Sequence, residues 1–588
     1  MNLLPSISKA TVSAKRNSEG SQYPDAPSAI HKVAETANRR LIAKLGFVVC
    51  TFALMTCGND SDSPADAVNS AVTSGRASAS LRGSTAAAAS PELVETTIAR
   101  LQASLRAGEY SCRDVVQGYL DRIETYDQAS GINAITVINA NALARADDID
   151  AALTAGEDMP VLFCAPLLVK DNYDTADMVT TGGSVVLRNS LPPDDAFMIR
   201  KLREAGAIIL AKTNMAEWAF SPRQSISSSF GRTANAYDVN YVPAGSSGGT
   251  ASAVAASFGV AGMGSDTGNS IRGPSSHLAL FGVRSTLGLT SRDGVIPLSF
   301  DRDIAGPMTR TVEDGVRLFD VIADFDPADP LAVPGRREES YLRFLKTDGL
   351  AGKRLGVLRS LVDQSGADPE IQELFARAVE DLEAAGATVV DPFAIVDFSA
   401  LSDAIPFCPR FRYDVAQYLA TLPNSPLTDV NDVLETGQIA DATRGAFSFY
   451  AAAPVDVAPD DWDEPCPTWP NNPERNQLLA NAISAMDEAS VDAIIFPTWS
   501  NPPARIDRGE EDYAGDNNQL LAPDAGLPAV TVPMGFWQDR LPVGLQLVGR
   551  PYSEGTLFEV AYGYEQATQH RRPPPGYPEL EQPITDSQ

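Results

Sequence analysis

Apolar residues recur at helical spacing soon after residue 91. Val115, Val116, Tyr119, Leu120 and Ile123 fall on one face of a helix predicted over 112–123. Just upstream, Ser90 precedes Pro91, and Leu93, Ile98 and Leu101 are apolar, which predicts a capped helix over 91–106. Short continuous apolar runs then take over. Leu167-Leu168-Val169 reads as a buried strand that ends at Lys170, and Ile208-Ile209-Leu210 as the next strand. Helical patterns between such runs predict an α/β domain with much parallel sheet.

From Ala244 to Gly294 the texture changes. The stretch is dense in Gly and Ser, yet Val254, Phe258, Val260 and Met263 run through it. A flexible linker would lack these apolar residues. Small residues within apolar runs mean backbone packed closely on backbone. A tight helix is predicted over 250–258, a buried strand over 260–263 and a helix opening at Pro274. Residues 454–472 are acidic and Pro-rich and read as a surface loop. The chain shows no internal repeat.

The N-terminus has a different character. Arg39, Arg40 and Lys44 precede Leu45 to Met55, a run without charge. That run is too short to cross a ~30 Å hydrocarbon layer as a helix. A basic stretch, a short apolar core and a small-residue end describe an export signal. Leu54-Met55-Thr56-Cys57 resembles the lipobox of bacterial lipoproteins, with Thr56 where Gly, Ala or Ser is usual. Arg39-Arg40 also partly resembles a twin-arginine signal. The expected organisation is an export segment over 1–57, a Ser/Ala/Gly/Asp-rich tether over 58–90, one catalytic domain over 91–575 and a loose tail over 576–588. The expected location is the periplasm or, through a lipidated Cys57, the bacterial membrane surface.

Composition narrows the chemistry. In 588 residues, Lys plus Arg against Asp plus Glu is 46 − 76 = −30. Nucleic-acid surfaces need clustered positive charge, so no nucleic-acid partner is expected. The three histidines, His31, His277 and His570, almost exclude a His-rich metal site. The six cysteines have no CxxC spacing, so a zinc ribbon is excluded too. Cys408 and Cys466 are able to pair in an oxidising compartment. Cys164 reads as a small buried hydrophobe.

A serine hydroxyl is a weak nucleophile and needs a base. With histidine scarce, lysine is the alternative, provided burial disfavours its charged form. After Cys57 only Lys170, Lys201, Lys212, Lys346 and Lys353 occur, and Lys170 closes an apolar run. The Gly/Ser loop Gly245 to Gly249 and the turn Gly264 to Arg272 offer serines, with backbone N–H groups for a developing oxyanion.

These residues resemble the amidase signature family. The likeness rests on Leu168 to Asn172, Lys212 to Trp218, Gly245 to Gly249, Gly264 to Arg272, Gly288 to Arg292 and Gly306-Pro307-Met308, then Pro533, Leu541 to Gly549 and Glu565-Gln566-Ala567. It runs from about Pro91 to about Pro573. It implies one large α/β/α domain around a mixed, mostly parallel twisted sheet, with no cofactor or metal. It implies Ser270 as nucleophile and Ser246, after a cis Gly245–Ser246 bond, as the bridging serine. Lys170 is then the base, and the N–H groups of Thr267, Gly268, Asn269 and Ser270 form the oxyanion hole. The family often has Gly where this chain has Asn269. Asp171 and Asp266 are expected to orient loops, and Arg272 to hold the nucleophile turn.

The implied activity is hydrolysis of a small-molecule or peptide carboxamide, and of esters as well, through an acyl-Ser270 intermediate. Two rival roles attach to the same resemblance. One is a glutamine-dependent amidotransferase component that supplies ammonia to a partner, and the other is a non-catalytic binding protein. Gly245-x-Ser247-x-Gly249 also matches the nucleophile elbow of α/β-hydrolases, but Pro243 sits where its strand would end. His277, seven residues beyond Ser270, poses as a partner but more often such a residue belongs to the core. Phe407, Phe411, Tyr413, Tyr418, Phe447 and Tyr450 either line the substrate pocket or form ordinary core.

The export reading makes a direct prediction. Cys57→Ala is expected to abolish fatty-acid labelling and to move the protein from the membrane to the soluble fraction. Unchanged labelling and fractionation would refute lipidation.

Overall fold

The structure, a computed structural model, describes residues 90–581 apart from Pro406 and Glu510. The expected export segment, Cys57 and the expected tether as far as residue 89 lie outside the described residues. Eleven strands form one sheet. In chain order they are β1 (Ile135–Ile138), β2 (Pro166–Lys170), β3 (Ile208–Thr213), β4 (Ala261–Asp266), β5 (Phe281–Arg284), β6 (Ile304–Thr309), β7 (Arg354–Leu358), β8 (Thr388–Phe393), β9 (Ala493–Pro497), β10 (Ala529–Trp537) and β11 (Leu541–Val548). Their order across the sheet is β1-β3-β2-β4-β6-β5-β10-β11-β9-β7-β8.

The sheet is mixed, as expected, and its two pairing types are segregated. β3-β2-β4 on one flank and β9-β7-β8 on the other are parallel. The centre, from β4 through β6, β5, β10 and β11 to β9, is antiparallel, as is the edge strand β1. The run-and-helix pattern near β2 and β3 therefore extrapolates poorly. Between β10 and β11 only a tight turn intervenes, which permits antiparallel pairing alone.

The helix over Cys112–Tyr126 forms as its apolar face predicts, closed by a capping box between Ser111 and Asp114. The helix expected from Pro91 instead begins at Ile98, with Thr97 as its cap. Glu95 sits at φ 55, a left-handed conformation incompatible with continuing helix. Its carboxylate pairs with Arg571 at 2.7 Å, so a tertiary contact overrides the local signal. The tight helix falls at Gly248–Ala255, two residues earlier than expected. A Cβ on Gly249 would lie 2.1 Å from the Asn214 carbonyl oxygen, the close backbone approach that the small residues announce.

Two further readings change. Cys164 is not a lone hydrophobe: it is disulfide-bonded to Cys112, with Cα atoms 5.8 Å apart. The two are distant in sequence, and only the packing of the 112–126 helix near β2 brings them together. Cys408 and Cys466 pair as well. The described part of the tail, 576–581, is pinned rather than loose. Tyr577 is buried, and Arg122 donates to the carbonyls of Tyr577 (2.9 Å) and Pro578 (2.7 Å). The 454–472 segment is largely irregular, as expected, and Cys466 fastens it to the chain.

Of the aromatics in 396–480, Phe411, Tyr418 and Phe447 are core. They form a satellite cluster with Leu187, Met215, Trp218, Ile296 and Leu298, separate from the main core on the sheet. Phe407 and Tyr450 are half-buried at its rim, and Tyr450 stacks on Phe220 with ring centres 5.2 Å apart.

Truncation after Pro575 is expected to strip Arg122 of two acceptors and to remove the buried Tyr577 ring. Together these should lower stability by about 3–5 kcal/mol, read from the midpoint of urea denaturation. An unchanged midpoint would contradict the role given to the tail.

Candidate active site

Two parallel neighbours, β2 and β4, carry the candidate residues at their carboxyl ends, where ligands gather in sheets of this kind. Lys170 is the last residue of β2, and its side chain is fully buried. Its Nζ lies 2.7 Å from Ser246 Oγ and 2.8 Å from Ser265 Oγ, with the Ser265 carbonyl at 3.4 Å. Burial disfavours the ammonium and brings its pKa down to about 7, against the opposing pull of Asp266 and Asp303. The neutral amine has two N–H donors and one lone pair. The amine donates to all three oxygens as an ammonium; once neutral, its two N–H groups suffice for Ser265 and its lone pair is free to accept from the Ser246 hydroxyl.

Ser246 follows a cis Gly245–Ser246 bond, the geometry expected of a bridging serine. Its carbonyl accepts from Ala216 N–H at 3.0 Å, which ties the loop to the segment after β3. Ser270 lies in the turn that follows β4. Its Oγ is 3.4 Å from Asn269 Oδ1, and no hydrogen bond joins it to Ser246 among the described residues. The structure thus brings Lys170 and Ser246 together and sets Ser270 in the adjoining turn.

That turn is held from below by charge. Asp266, fully buried, accepts from the backbone N–H of Ile271 (3.1 Å), and its carboxylate pairs with Arg272 (3.1 Å) and Arg284 (2.9 Å). Burial alone would raise its pKa, but the two guanidinium groups hold the carboxyl well below the usual range. Arg272 also donates to the Gly268 carbonyl at 2.6 Å, and Gly273 N–H to the Asn269 carbonyl at 2.7 Å. A peptide's N–H points opposite to its C=O. With these carbonyls drawn inward, the N–H groups of Asn269 and Ser270 face the other way. Neither they nor the Gly268 N–H donates to a protein acceptor among the described residues. Thr267, the fourth expected donor, anchors through its hydroxyl to Asp303 at 2.5 Å.

Asn269 takes a place of its own. Its Nδ2 donates to Asp516 at 2.9 Å and to the Pro222 carbonyl at 3.2 Å, so the side chain points away from the turn's N–H groups and clamps two other segments to it. A Cβ on Gly268 would fall 2.0 Å from Gln519 Oε1, so the same segment also closes on the turn from that side.

Three residues outside the sequence-derived set belong here. Ser265 is the second partner of Lys170, and Asn172 Nδ2 donates to Ser265 Oγ at 3.0 Å. Strand alternation was the available signal: Ser265 and Thr267 share a face. Asp303 is discernible only through the pairing of β6 with β4. Asp171, as expected, orients a loop: it accepts from the Thr181 hydroxyl and backbone N–H, and Lys212 lies 4.0 Å away.

The rival sites fare differently. His277 is buried against Trp499, with ring centres 4.5 Å apart, and its Nδ1 has no partner among the described residues. Burial lowers its pKa to about 3, so it is neutral and lacks the carboxylate that would orient a base. Ser247 Oγ donates to the Ser265 carbonyl at 3.2 Å, an anchoring contact rather than a nucleophile's. Among the described residues no group of three or more His, Cys, Asp or Glu side chains is placed to hold a metal ion, and no helix is long and apolar enough to cross a membrane.

Comparison with known proteins bears on the family and the fold. The Amidase family model matches residues 114–558. The chain belongs to the amidase signature family. Among its relatives is a glutamyl-tRNA(Gln) amidotransferase subunit from Desulforapulum autotrophicum, 33% identical over 487 residues, spanning 81% of this chain and 98% of that one. The native peptide amidase of Stenotrophomonas maltophilia is a structural neighbour, with a TM-score of 0.73 and 34% identity over 82% of this chain and 98% of the other. The corresponding amidotransferase chain from Thermotoga maritima superposes with a TM-score of 0.64 and 27% identity over 84% and 99% of the two chains. Membership of the family makes the protein an enzyme acting on amide C–N bonds.

The lysine geometry carries a pH prediction for this amidase signature enzyme. A base must be neutral to accept a proton, so the acylation rate should rise with pH through about 7 and level off above it. Lys170→Ala is expected to remove this limb and to cost at least ~100-fold in rate, while His277→Ala leaves the limb in place. Stopped-flow acylation with a chromogenic ester across pH 5–9 checks both.

Proposed function

We propose that this protein is a free-standing, exported amide hydrolase that works through an acyl-Ser270 intermediate. The observation that carries the reading is the 2.7 Å contact between a fully buried Lys170 and Ser246, beside the turn that bears Ser270. Neutral Lys170 takes the proton of Ser246, which takes that of Ser270, and Ser270 Oγ bonds to the carbonyl carbon. A serine side chain has three staggered positions, and the relay uses the one in which Ser270 faces Ser246. The carbonyl oxygen becomes an oxyanion, for which the turn's N–H groups are available. The proton returns from Lys170 to the leaving nitrogen as the C–N bond breaks, and water then cleaves the ester by the same relay.

The likeness to the Stenotrophomonas peptide amidase favours peptide amides as the substrate class. Export is supported by the cysteines: all four within the described residues are paired, as suits an oxidising compartment.

The curated relatives favour a second reading, an amidotransferase component that releases ammonia from glutamine for a partner. The chemistry at Ser270 would be the same. A net charge of −30 and the export segment weigh against a tRNA-facing role.

The two readings part in one experiment. The purified chain, alone, is given C-terminally amidated dipeptides, aryl amides and free glutamine, with ammonia or amine release as the readout. The first reading expects turnover of peptide amides without a partner, abolished by Ser270→Ala and retained in Ser247→Ala. Turnover of glutamine that appears only when partner proteins are added would establish the second.

A further inference from the structure

Asp303 stands out among the buried groups that the relay above leaves unused. It is a carboxylate removed from water, and no ion pair joins it to a cation among the described residues. Three hydrogen bonds hold it: the Thr267 hydroxyl at 2.5 Å, and the backbone N–H groups of Leu298 (2.8 Å) and Ser299 (3.0 Å). A buried, unpaired carboxylate is costly and calls for a reason.

Register supplies its location. β4 and β6 are antiparallel, with Ser265 opposite Ala305 and Asp266 opposite Ile304, so Asp303 follows on opposite Thr267. Opposed residues of such a pair share a face, and so do residues two apart along a strand. Ser265, Thr267 and Asp303 therefore share one face, and the Lys170 amine meets it at the end of the strand through the Ser265 hydroxyl at 2.8 Å. Diagonal neighbours of this kind lie roughly 7–8 Å apart at the backbone and closer at their tips. Ser265, Thr267, Asn172 and Asp303 also line, together with Arg292, one cavity of about 10 Å³, enough for a single water.

We propose that Asp303 is a positioning residue of the relay, whose negative charge stabilises Lys170 during the interval in which it holds the serine proton as an ammonium. The proposal rests on the Ser270–Ser246–Lys170 reading. No bond is made at Asp303. The proton passes from Ser270 through Ser246 to Lys170, then to the leaving nitrogen, and Asp303 stays a carboxylate throughout.

The other charges near the two groups do not substitute for it. Asp266 also favours the Lys170 ammonium through its charge, from the opposite face of β4, and that charge is shared with Arg272 and Arg284. Arg292 and Arg410 lie on the Asp303 side, yet each is engaged elsewhere, Arg292 with Asp329 at 2.9 Å and Arg410 with Asp414 at 2.7 Å. Burial raises the Asp303 pKa, and its three hydrogen-bond donors oppose that rise. Asp303 raises that of Lys170, so removing the charge makes the lysine a weaker base.

The test is the pH–rate profile of the full chain with a chromogenic ester, in three variants whose melting curves confirm folding. Asp303→Asn should move the midpoint of the rising limb down by about one pH unit, as expected for one charge at this range in a partly polarisable interior. It should lower plateau kcat by roughly tenfold and leave KM within about twofold. Asp303→Glu keeps the charge and should hold the midpoint near the wild-type value even where kcat falls. Thr267→Val removes the hydroxyl partner but not the charge, and should also hold the midpoint. A midpoint that Asp303→Asn leaves in place overturns the proposal. So does one displaced equally by Asp303→Glu or Thr267→Val, because the effect would then run through loop shape. If Asp303→Asn does not fold, a displaced limb in Asp303→Glu is sufficient to overturn it. A wild-type limb that survives Lys170→Ala overturns the lysine-base reading itself, and this inference with it.

Discussion

An amine titrates near 10 in water, and in this protein that of Lys170 is brought down to about 7. The means is removal of Lys170 from water on every side. That single requirement shapes the surrounding fold. The lysine sits at the end of a strand flanked by parallel neighbours on both sides, β3 and β4, so no edge admits solvent. Leu167, Leu168 and Val169 before it are fully buried on both faces of the sheet, and the Gly/Ser-rich helix 248–255 packs against the same strands. Larger residues in that helix would force it off, as the 2.1 Å approach at Gly249 makes plain.

Desolvating a cation is only half the problem, because the polar groups around it must then be satisfied internally. The site does this with hydroxyls and backbone rather than with paired ions. Ser246 and Ser265 serve the amine, and Asn172 serves Ser265. The strong charges are kept one layer down, where Asp266, Arg272 and Arg284 lock the turn bearing Ser270. A carboxylate placed directly on Lys170 would stabilise the ammonium outright and leave no base. Positive charge is confined to holding carbonyls and Asp266, and its effect on the site is geometric.

Much of this is visible in the residues themselves. The isolated lysine after an apolar run, the Gly/Ser loop and the turn from Gly264 to Arg272 point to Lys170 and a set of serines, the family resemblance picks Ser246 and Ser270 among them, and the structure seats Lys170 and Ser246 in contact. What escapes is what depends on partners distant in sequence. The helix start at Ile98 is set by the Glu95–Arg571 pair, the Cys112–Cys164 bond by packing, and the order of Tyr577 by Arg122. The antiparallel centre of the sheet is hidden because β5, β6, β11 and the first four residues of β10 are buried on both faces, so their sequences lack the alternation that marks a solvated antiparallel strand. Asp303 needs the β4–β6 register, which no local pattern encodes.

The aromatics of 396–480 illustrate the same limit from the other direction. As a composition they fit a pocket wall or a core equally well. The structure divides them: Phe411, Tyr418 and Phe447 hold a satellite core, and Phe407 and Tyr450 lie half-buried on its rim. That core includes Met215 and Trp218, directly after β3, and Ile296 and Leu298, just before Asp303. The segment that differs most in character from the sheet is thus bolted to the two loops that flank the lysine. Ala216 in the first of these loops holds the Ser246 carbonyl, and Leu298 in the second holds Asp303. The satellite core is thereby joined, through one backbone hydrogen bond on each side, to the Ser246 loop and to Asp303.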